Sequence, residues 1–360
     1  MPRAKPILLV TRGLDPVGTG HQVELAAAGL AAAGHPVGVA VTSRAGSLAG
    51  RLAARGHRVF EVGRRPVVEA AAVARLTAVA ARLQPAAMLG FGRSQIWPVA
   101  VARHAAARCR AIAWLGMAPR RSDAGWGLGR LDGVIATSAA VAEACQRRGI
   151  AATRIAVVPP GVAVEPPRGE AAISRVDVAE RLGLDPDRQW TLAVAPLEAE
   201  PRLQRLLWAI DQLGVVRKDL QHVLVGAGPL LEHVRRRARA QELSERLFIL
   251  PAFELLPELL GQVRLVWQSG DVALGGAILD GMARGVPAVA VESEAARQLI
   301  ADGQTGRIVP AEPDGELPRR AFRILEDADL AAGYAVAATA RAAEAFSADR
   351  FVARLLAAIR

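Results

Sequence analysis

A chain of 360 residues is long enough for two ordinary domains, each burying its own core. Hydrophobic residues make up 52% of it, which excludes a disordered chain, and aromatics only 4%, so the cores must be mainly Val, Leu, Ile and Ala. The net charge of +10 is a weak guide to partners: of 45 Lys and Arg only Lys5 and Lys218 are lysines, and with this much Ala and Gly the excess reads as the codon usage of a GC-rich genome. No Arg run is interleaved with aromatics as in a single-strand binder, so no nucleic-acid partner is expected.

In chain order the first half alternates short apolar runs with helical periodicity. Residues 6–10 read as a buried strand, followed by a glycine-rich turn over 13–20 and a helix over 21–33 closed by Gly34-His35-Pro36. Strands follow at 37–41, 59–62, 86–89, 111–114, 133–136 and 155–158, with helices at 47–54, 67–83, 96–107 and 139–148. Such alternation implies parallel pairing in a doubly wound α/β sheet. Pro159-Pro160-Gly161 ends this half, and the aperiodic, proline-rich stretch 165–170 is the best linker candidate. The second half repeats the pattern, with strands at 191–195, 223–225, 247–250, 265–267, 288–291 and 307–309 and helices at 202–213, 230–241, 254–260, 276–284 and 294–301. Two or three helices finish the chain between Pro318 and Arg360. The cluster Arg235-Arg236-Arg237-Arg239 lies in a helical pattern, as a solvated face or a contact for anionic lipid headgroups.

Cys109 and Cys145 stand alone, without metal-ligand spacing. The apolar run 7–10 is too short for a signal-peptide core, and no apolar stretch approaches the ~20 residues of a membrane helix. The expectation is a cytoplasmic protein, with peripheral contact to the inner face of the membrane left open.

Three glycine-bearing loops lie between a strand and a helix, where backbone N–H groups at a helix start favour anions. They are Gly18-Thr19-Gly20, Gly226-Ala227-Gly228-Pro229 and Gly275-Gly276. None is a Walker loop or a complete G-x-G-x-x-G, and each has the alternative of a tight turn without a ligand. Asp280, shortly after the third loop, is placed either to accept hydrogen bonds from ribose hydroxyls or as a helix-surface acid. On two parallel sheets these loops fall at the carboxyl ends of the strands, where open α/β sheets bind ligands.

The segments "HVLVGAGPLLEHVRRRA", "LFILPAF", "AILDGMARGVPAVAVES" and "LIADGQTGRIVP" in the second half, with "GTGHQVELAAAGLAAAGHPVGVAV" and "DGVIATSAAVAEACQRRG" in the first, resemble the retaining GT-B glycosyltransferases of family 4. These move a sugar from a nucleotide donor to an acceptor. The resemblance implies two Rossmann-like domains facing each other across a cleft: an acceptor-side domain over 1–165 and a nucleotide-sugar domain over 170–345, with the boundary between Pro159 and Gln189 and a last helix over 346–360 packing back on the first. It places the donor against Gly226, Gly228, Ser269, Gly275, Gly276, Asp280 and Arg202, and Gly18, Thr19, Gly20 and Gly116 on the other side of the cleft. The partners implied are a nucleotide sugar, as substrate rather than cofactor, and a glycan, lipid or small-molecule acceptor, with no metal.

The departures fall at contact positions. Of two family glutamates near residue 275 the first falls on Val272 and the second on Asp280, with Asp271 one residue from the first. A glycine, an arginine and a lysine that serve the donor phosphates fall on Ala195, Pro196 and about Pro201, and Arg202 or Arg205 is the nearest substitute. A histidine expected after the fifth strand of the first domain is Leu115, followed by the expected Gly116. Asp271 and Asp280 are the candidates for catalysis. Two readings follow: a divergent glycosyltransferase, retaining and metal-independent, or a non-catalytic relative that binds a nucleotide, a glycan or a partner enzyme.

Overall fold

In the computed structural model, which describes residues 5–16, 18–43, 45–63, 70–124, 127–164, 173–198, 200–250 and 255–359, the chain divides into two compact units. The first comprises Met1–Gly161 with Phe346–Arg360, and the second Val162–Ala345. The proline-rich stretch 165–170, read as a linker, lies outside the described residues.

The first unit runs β1 (Ile7–Thr11), α1 (Thr19–Ala32), β2 (Val37–Val41), α2 (Leu48–Ala54), β3 (Arg58–Glu61), α3 (Ala70–Leu83), β4 (Ala87–Phe91), α4 (Ile96–Ala102), β5 (Arg110–Leu115), α5 (Arg121–Ala124), β6 (Gly133–Ala136), α6 (Ala139–Arg147) and β7 (Ile155–Val157). Its seven strands are parallel in the order β3-β2-β1-β4-β5-β6-β7. Central strands covered by helices on both faces bury every residue, which is why β1, β2 and β4 appear in the sequence as unbroken apolar runs. Phe91 and Trp114, cross-strand partners with ring centroids 5.1 Å apart, are buried among Leu, Val, Ile and Ala.

The second unit runs α7 (Arg175–Leu182), β8 (Gln189–Val194), α8 (Glu200–Val216), β9 (Leu220–Val225), α9 (Leu231–Ala240), β10 (Leu247–Leu250), α10 (Leu256–Leu260), β11 (Leu265–Gln268), α11 (Ile278–Met282), β12 (Ala288–Val291), α12 (Glu294–Leu299), β13 (Gly306–Val309), α13 (Glu316–Glu326) and α14 (Ala328–Phe346). Its six parallel strands follow the order β10-β9-β8-β11-β12-β13, which reverses between β8 and β11 as the first sheet reverses between β1 and β4. Thr191 and His222, partners on β8 and β9, share a buried 2.7 Å hydrogen bond between Oγ1 and Nδ1, and the imidazole lies 5.3 Å from the Trp267 ring.

The last helix, α15 (Ala348–Ile359), belongs to the first unit. It lies against α1 so closely that a Cβ on Gly29 would fall on the Val352 side chain. Phe351, Leu355 and Ile359 form its buried stripe. Gly161, where the chain leaves the unit, packs against Phe351, and the buried Gln22 amide of α1 grips it from both sides: Nε2 donates to the Gly161 carbonyl at 2.8 Å and Oε1 accepts its N–H at 2.7 Å.

Several sequence expectations are corrected. The helix expected over 96–107 ends at Ala102 and tightens into a 3-10 turn, Arg103–Ala105. The helix expected over 276–284 begins only at Ile278, because Leu274, Gly275 and Gly276 all have positive φ. The short helix α7, absent from the sequence reading, is fixed by a capping box between Ser174 and Asp177 and ends on Gly183 in the left-handed conformation. No helix among the described residues is long and apolar enough to cross a membrane. Cys109 and Cys145 are free and buried, and burial raises both thiols to about 11.

Candidate functional site

In the second unit the sheet reverses between β8 and β11, and the loops leaving their carboxyl ends form one packed edge with the loop after β9. A Cβ on Gly226 would fall on the Ala195 carbonyl oxygen, and one on Gly228 would lie 2.5 Å from the Leu197 carbonyl oxygen. Leu197 donates to Ala227 O and Leu230 donates to Leu197 O, both at 3.0 Å. These two glycines are therefore set by backbone-to-backbone contact between the loops after β8 and β9. The third loop closes against the same strand: a Cβ on Gly276 would lie 2.5 Å from the Val194 carbonyl oxygen and 2.9 Å from Gln268 Oε1.

The turn itself is strained. Leu274 (φ 60), Gly275 (φ 71) and Gly276 (φ 60) are consecutive left-handed residues, and a leucine there costs about 1–3 kcal/mol, offset by burial of its side chain. The N–H groups of Gly275 and Gly276 donate to Val272 O and Ala273 O at 2.9 and 3.4 Å. They are thus occupied within the turn, in contrast to the expectation that they face a ligand. The N–H groups left over are those of the first turn of α11, which lack intrahelical acceptors.

Arg202 of α8 spans the reversal point. Its Nη1 donates to Asp271 O at 2.6 Å and its Nη2 to Pro196 O at 2.7 Å, so one guanidinium ties the loop after β11 to the loop after β8. Its stem lies over Gly270, and its buried Nε has no partner. Burial lowers its pKa, against the opposing pull of Asp271 and Glu198, and leaves it a cation at any working pH. Arg205, one turn on, donates to Ser269 O at 3.1 Å and pairs with Asp314 at 3.0 Å.

Asp271 is exposed while its neighbour Val272 is buried, so this turn presents the aspartate to solvent and the valine to the core. Asp280 is buried in α11, and its main-chain oxygen accepts from Arg284 at 3.0 Å. One sheet edge thus collects Gly226, Gly228, Ser269, Asp271, Gly276 and Arg202. Gly275 faces away from that edge, toward Leu299. Glu198, and Asp314 as the partner of Arg205, were not singled out from the sequence. Asp314 reaches Arg205 from a loop distant in the chain, beyond any spacing rule, whereas Glu198 stands four residues before the Arg202 whose charge it meets.

In the first unit the loop after β1 has Gly18 at φ 56 and Gly20 pressed onto the Asp15 carbonyl, with Thr19 starting α1. Leu115 ends β5 in the core, fully buried, and its carbonyl accepts from Thr137. The half-exposed Gly116 follows it. Among the described residues no three His, Cys, Asp or Glu cluster as a metal site.

Two doubly wound parallel sheets in tandem, each with its glycine loops at the carboxyl edge, define a GT-B-type α/β protein. Residues 17–166 match the model of Glycosyltransferase Family 4, and residues 188–327 that of Glycosyl transferases group 1, which together span most of the chain. Among curated proteins it is 31% identical over 159 residues to an alpha-D-kanosaminyltransferase of Streptomyces kanamyceticus, covering 43% of this chain and 41% of that one. It is 29% identical over 145 residues to a phosphatidyl-myo-inositol mannosyltransferase of Mycolicibacterium smegmatis, covering 40% and 35%. The matched segment spans less than half the length of either relative. Among solved structures, HepE of Anabaena in complex with UDP and glucose superposes with a TM-score of 0.80 at 18% identity over 98% of both chains. A glycosyltransferase of Rickettsia africae superposes at 0.74 and 16%, over 99% and 98%. At these identities the superpositions establish the fold. The chain belongs to the family 4 glycosyltransferases of GT-B fold.

Proposed function

We propose that the protein transfers a sugar from a nucleotide-sugar donor to an acceptor, with the donor held by the second unit and the acceptor by the first. The observation that carries this is the agreement of both halves with glycosyltransferase family models, while the loops corresponding to the donor site meet at one sheet edge around Arg202. Similar structures hold UDP or UDP-glucose, which makes a uridine diphosphate sugar the first donor to try. In this reading Arg202 and the first-turn N–H groups of α11 meet the diphosphate, Asp280 the ribose, and Asp271 the donor sugar. Charge developing on the leaving diphosphate is met by these fixed groups, so its departure needs no metal, and retention of configuration is carried over from the family resemblance rather than from these contacts.

The test is a screen of UDP-, GDP- and ADP-sugars for ligand-dependent thermal stabilisation, followed by turnover with the donor that binds. A second reading, binding without transfer, is favoured by one feature: at the position of a family glutamate, Val272 buries an apolar side chain. Binding without turnover across varied acceptors supports it. Turnover by the unmodified protein removes it, and failure of every donor to bind overturns the leading reading.

A further inference from the structure

The first sheet reverses between β1 and β4, and the carboxyl edge around that point carries unmatched positive charge. Arg12 follows β1, with Asp15 nearby as its counter-charge. Arg93 follows β4 and Arg120 follows the neighbouring β5, and these two are not so matched. The Arg93 Nη1 donates to the Ala118 carbonyl at 3.4 Å, which holds its half-buried guanidinium on the segment that ends at Arg120. Burial and the nearby charge of Arg120 both pull the Arg93 pKa down. Asp123 is the carboxylate that opposes them, and its Oδ2 already accepts the Arg120 backbone N–H at 2.7 Å. Among the described residues no carboxylate comes within ion-pair distance of either guanidinium, and the exposed Arg121 adds a third cation.

Two like charges side by side, one of them partly withdrawn from water, are unfavourable unless an anion joins them. Arginine forks suit the oxygens of a phosphate, which accept paired N–H donors. The same edge receives the N-terminus of α1, which has no acid in its first turn. Trp97, one turn past Arg93 and 47% exposed, offers a flat apolar face to a sugar or polyol ring.

We propose that Arg93 and Arg120, at the carboxyl ends of β4 and β5, form a phosphate-binding site, and that the acceptor of this protein is a phosphate ester held there. The word acceptor rests on the transferase reading, whereas the anion site does not. The phosphate comes either from a soluble sugar or polyol phosphate or from a phospholipid headgroup, and the two sources are separable.

The test uses the full chain. Calorimetric titration compares glucose 6-phosphate with glucose, and vesicles of phosphatidylglycerol in phosphatidylcholine are compared with phosphatidylcholine alone. Both arms are run on wild type, R120Q and R93Q/R120Q. Arg120 is exposed and has no side-chain partner among the described residues, so R120Q keeps the test interpretable if the double variant misfolds. Thermal stabilisation by UDP-, GDP- and ADP-sugars is measured alongside. The expected result is at least tenfold preference of wild type for the phosphorylated probe, in the soluble or the vesicle arm, lost about tenfold in R120Q and further in the double variant. Binding in the soluble arm assigns a free phosphate ester, and binding in the vesicle arm alone assigns a headgroup. Equal affinity for phosphorylated and plain probes in both arms, or binding that survives both variants, overturns the proposal. Variant-sensitive phosphate binding without stabilisation by any of the UDP-, GDP- or ADP-sugars leaves the anion site standing and removes the donor reading.

Discussion

His222 should make the second unit sensitive to mild acid. Its ring is buried, bonded to Thr191 through Nδ1 and stacked near Trp267, with Nε2 lacking any partner. Burial, and then the charge of Arg246, lower its pKa to about 3 from an ordinary value of 6.5. Between those values the unfolded chain carries a proton that the folded chain does not, so stability falls as pH falls from 6.5 toward 3 and is fully present above 6.5. One proton gives a limiting slope of about 1.4 kcal/mol per pH unit, but at pH 6.5 the unfolded imidazole is only half protonated, hence a loss of about 2 kcal/mol between pH 6.5 and pH 4.5. The assay is urea unfolding of wild type and His222→Phe at several pH values, followed by tryptophan fluorescence, the second unit's share of which comes from Trp190, Trp208 and Trp267. Other groups titrate in both proteins and cancel in the difference. The stability of wild type relative to the variant should drop by about 2 kcal/mol across that range. A difference that stays flat with pH would refute the burial of a neutral imidazole as described.

Gly276→Ala should destabilise the second unit by at least about 2 kcal/mol, since the new methyl group meets the Val194 carbonyl at a positive φ; thermal melting reads it. Arg175→Lys should cost about 1–3 kcal/mol of the same unit's stability, because the guanidinium stacks on Trp190 at 3.7 Å and donates to Pro186, Gln262 and Arg188 carbonyls that a single ammonium cannot serve together. Asp280→Ala should weaken nucleotide binding by about 1–3 kcal/mol in calorimetry. Arg202→Gln should weaken it as well and also loosen the two loops it ties, seen as faster amide exchange at Leu197 and Val272.

The parallel strands were legible because strands buried on both faces leave continuous apolar runs in the sequence. Their ends were less so where polar residues go inside. β9 begins at Leu220, three residues before the apolar run suggested, because Gln221 accepts from the Asp185 N–H and His222 bonds to Thr191. Those partners come from other elements and leave no local pattern. α7 was a different case, since Ser174, Asp177 and Gly183 carried its caps in plain view beside a proline-rich stretch that drew the eye to a linker. At the candidate site the glycine loops stood out in the sequence, but their cause did not: spacing suggests room for a ligand, whereas Gly226 and Gly228 make room for the neighbouring loop. The placing of Arg202 across the reversal point depends on two carbonyls that only the closed fold brings within its reach.

The placement of α15 has a consequence for how the chain is made. The first unit is discontinuous, so a ribosome delivers its seven strands and α1 long before the helix that covers them. Until Phe351, Leu355 and Ile359 emerge, the face of α1 around Gly29 waits uncovered, and Gly161 has Gln22 on one side but not yet Phe351 on the other. The second unit is free to fold first, although it is translated second. A released chain truncated after residue 345 should therefore resist protease across 173–345 while remaining cleavable in 5–161, and a peptide of residues 346–360 added in trans should protect it.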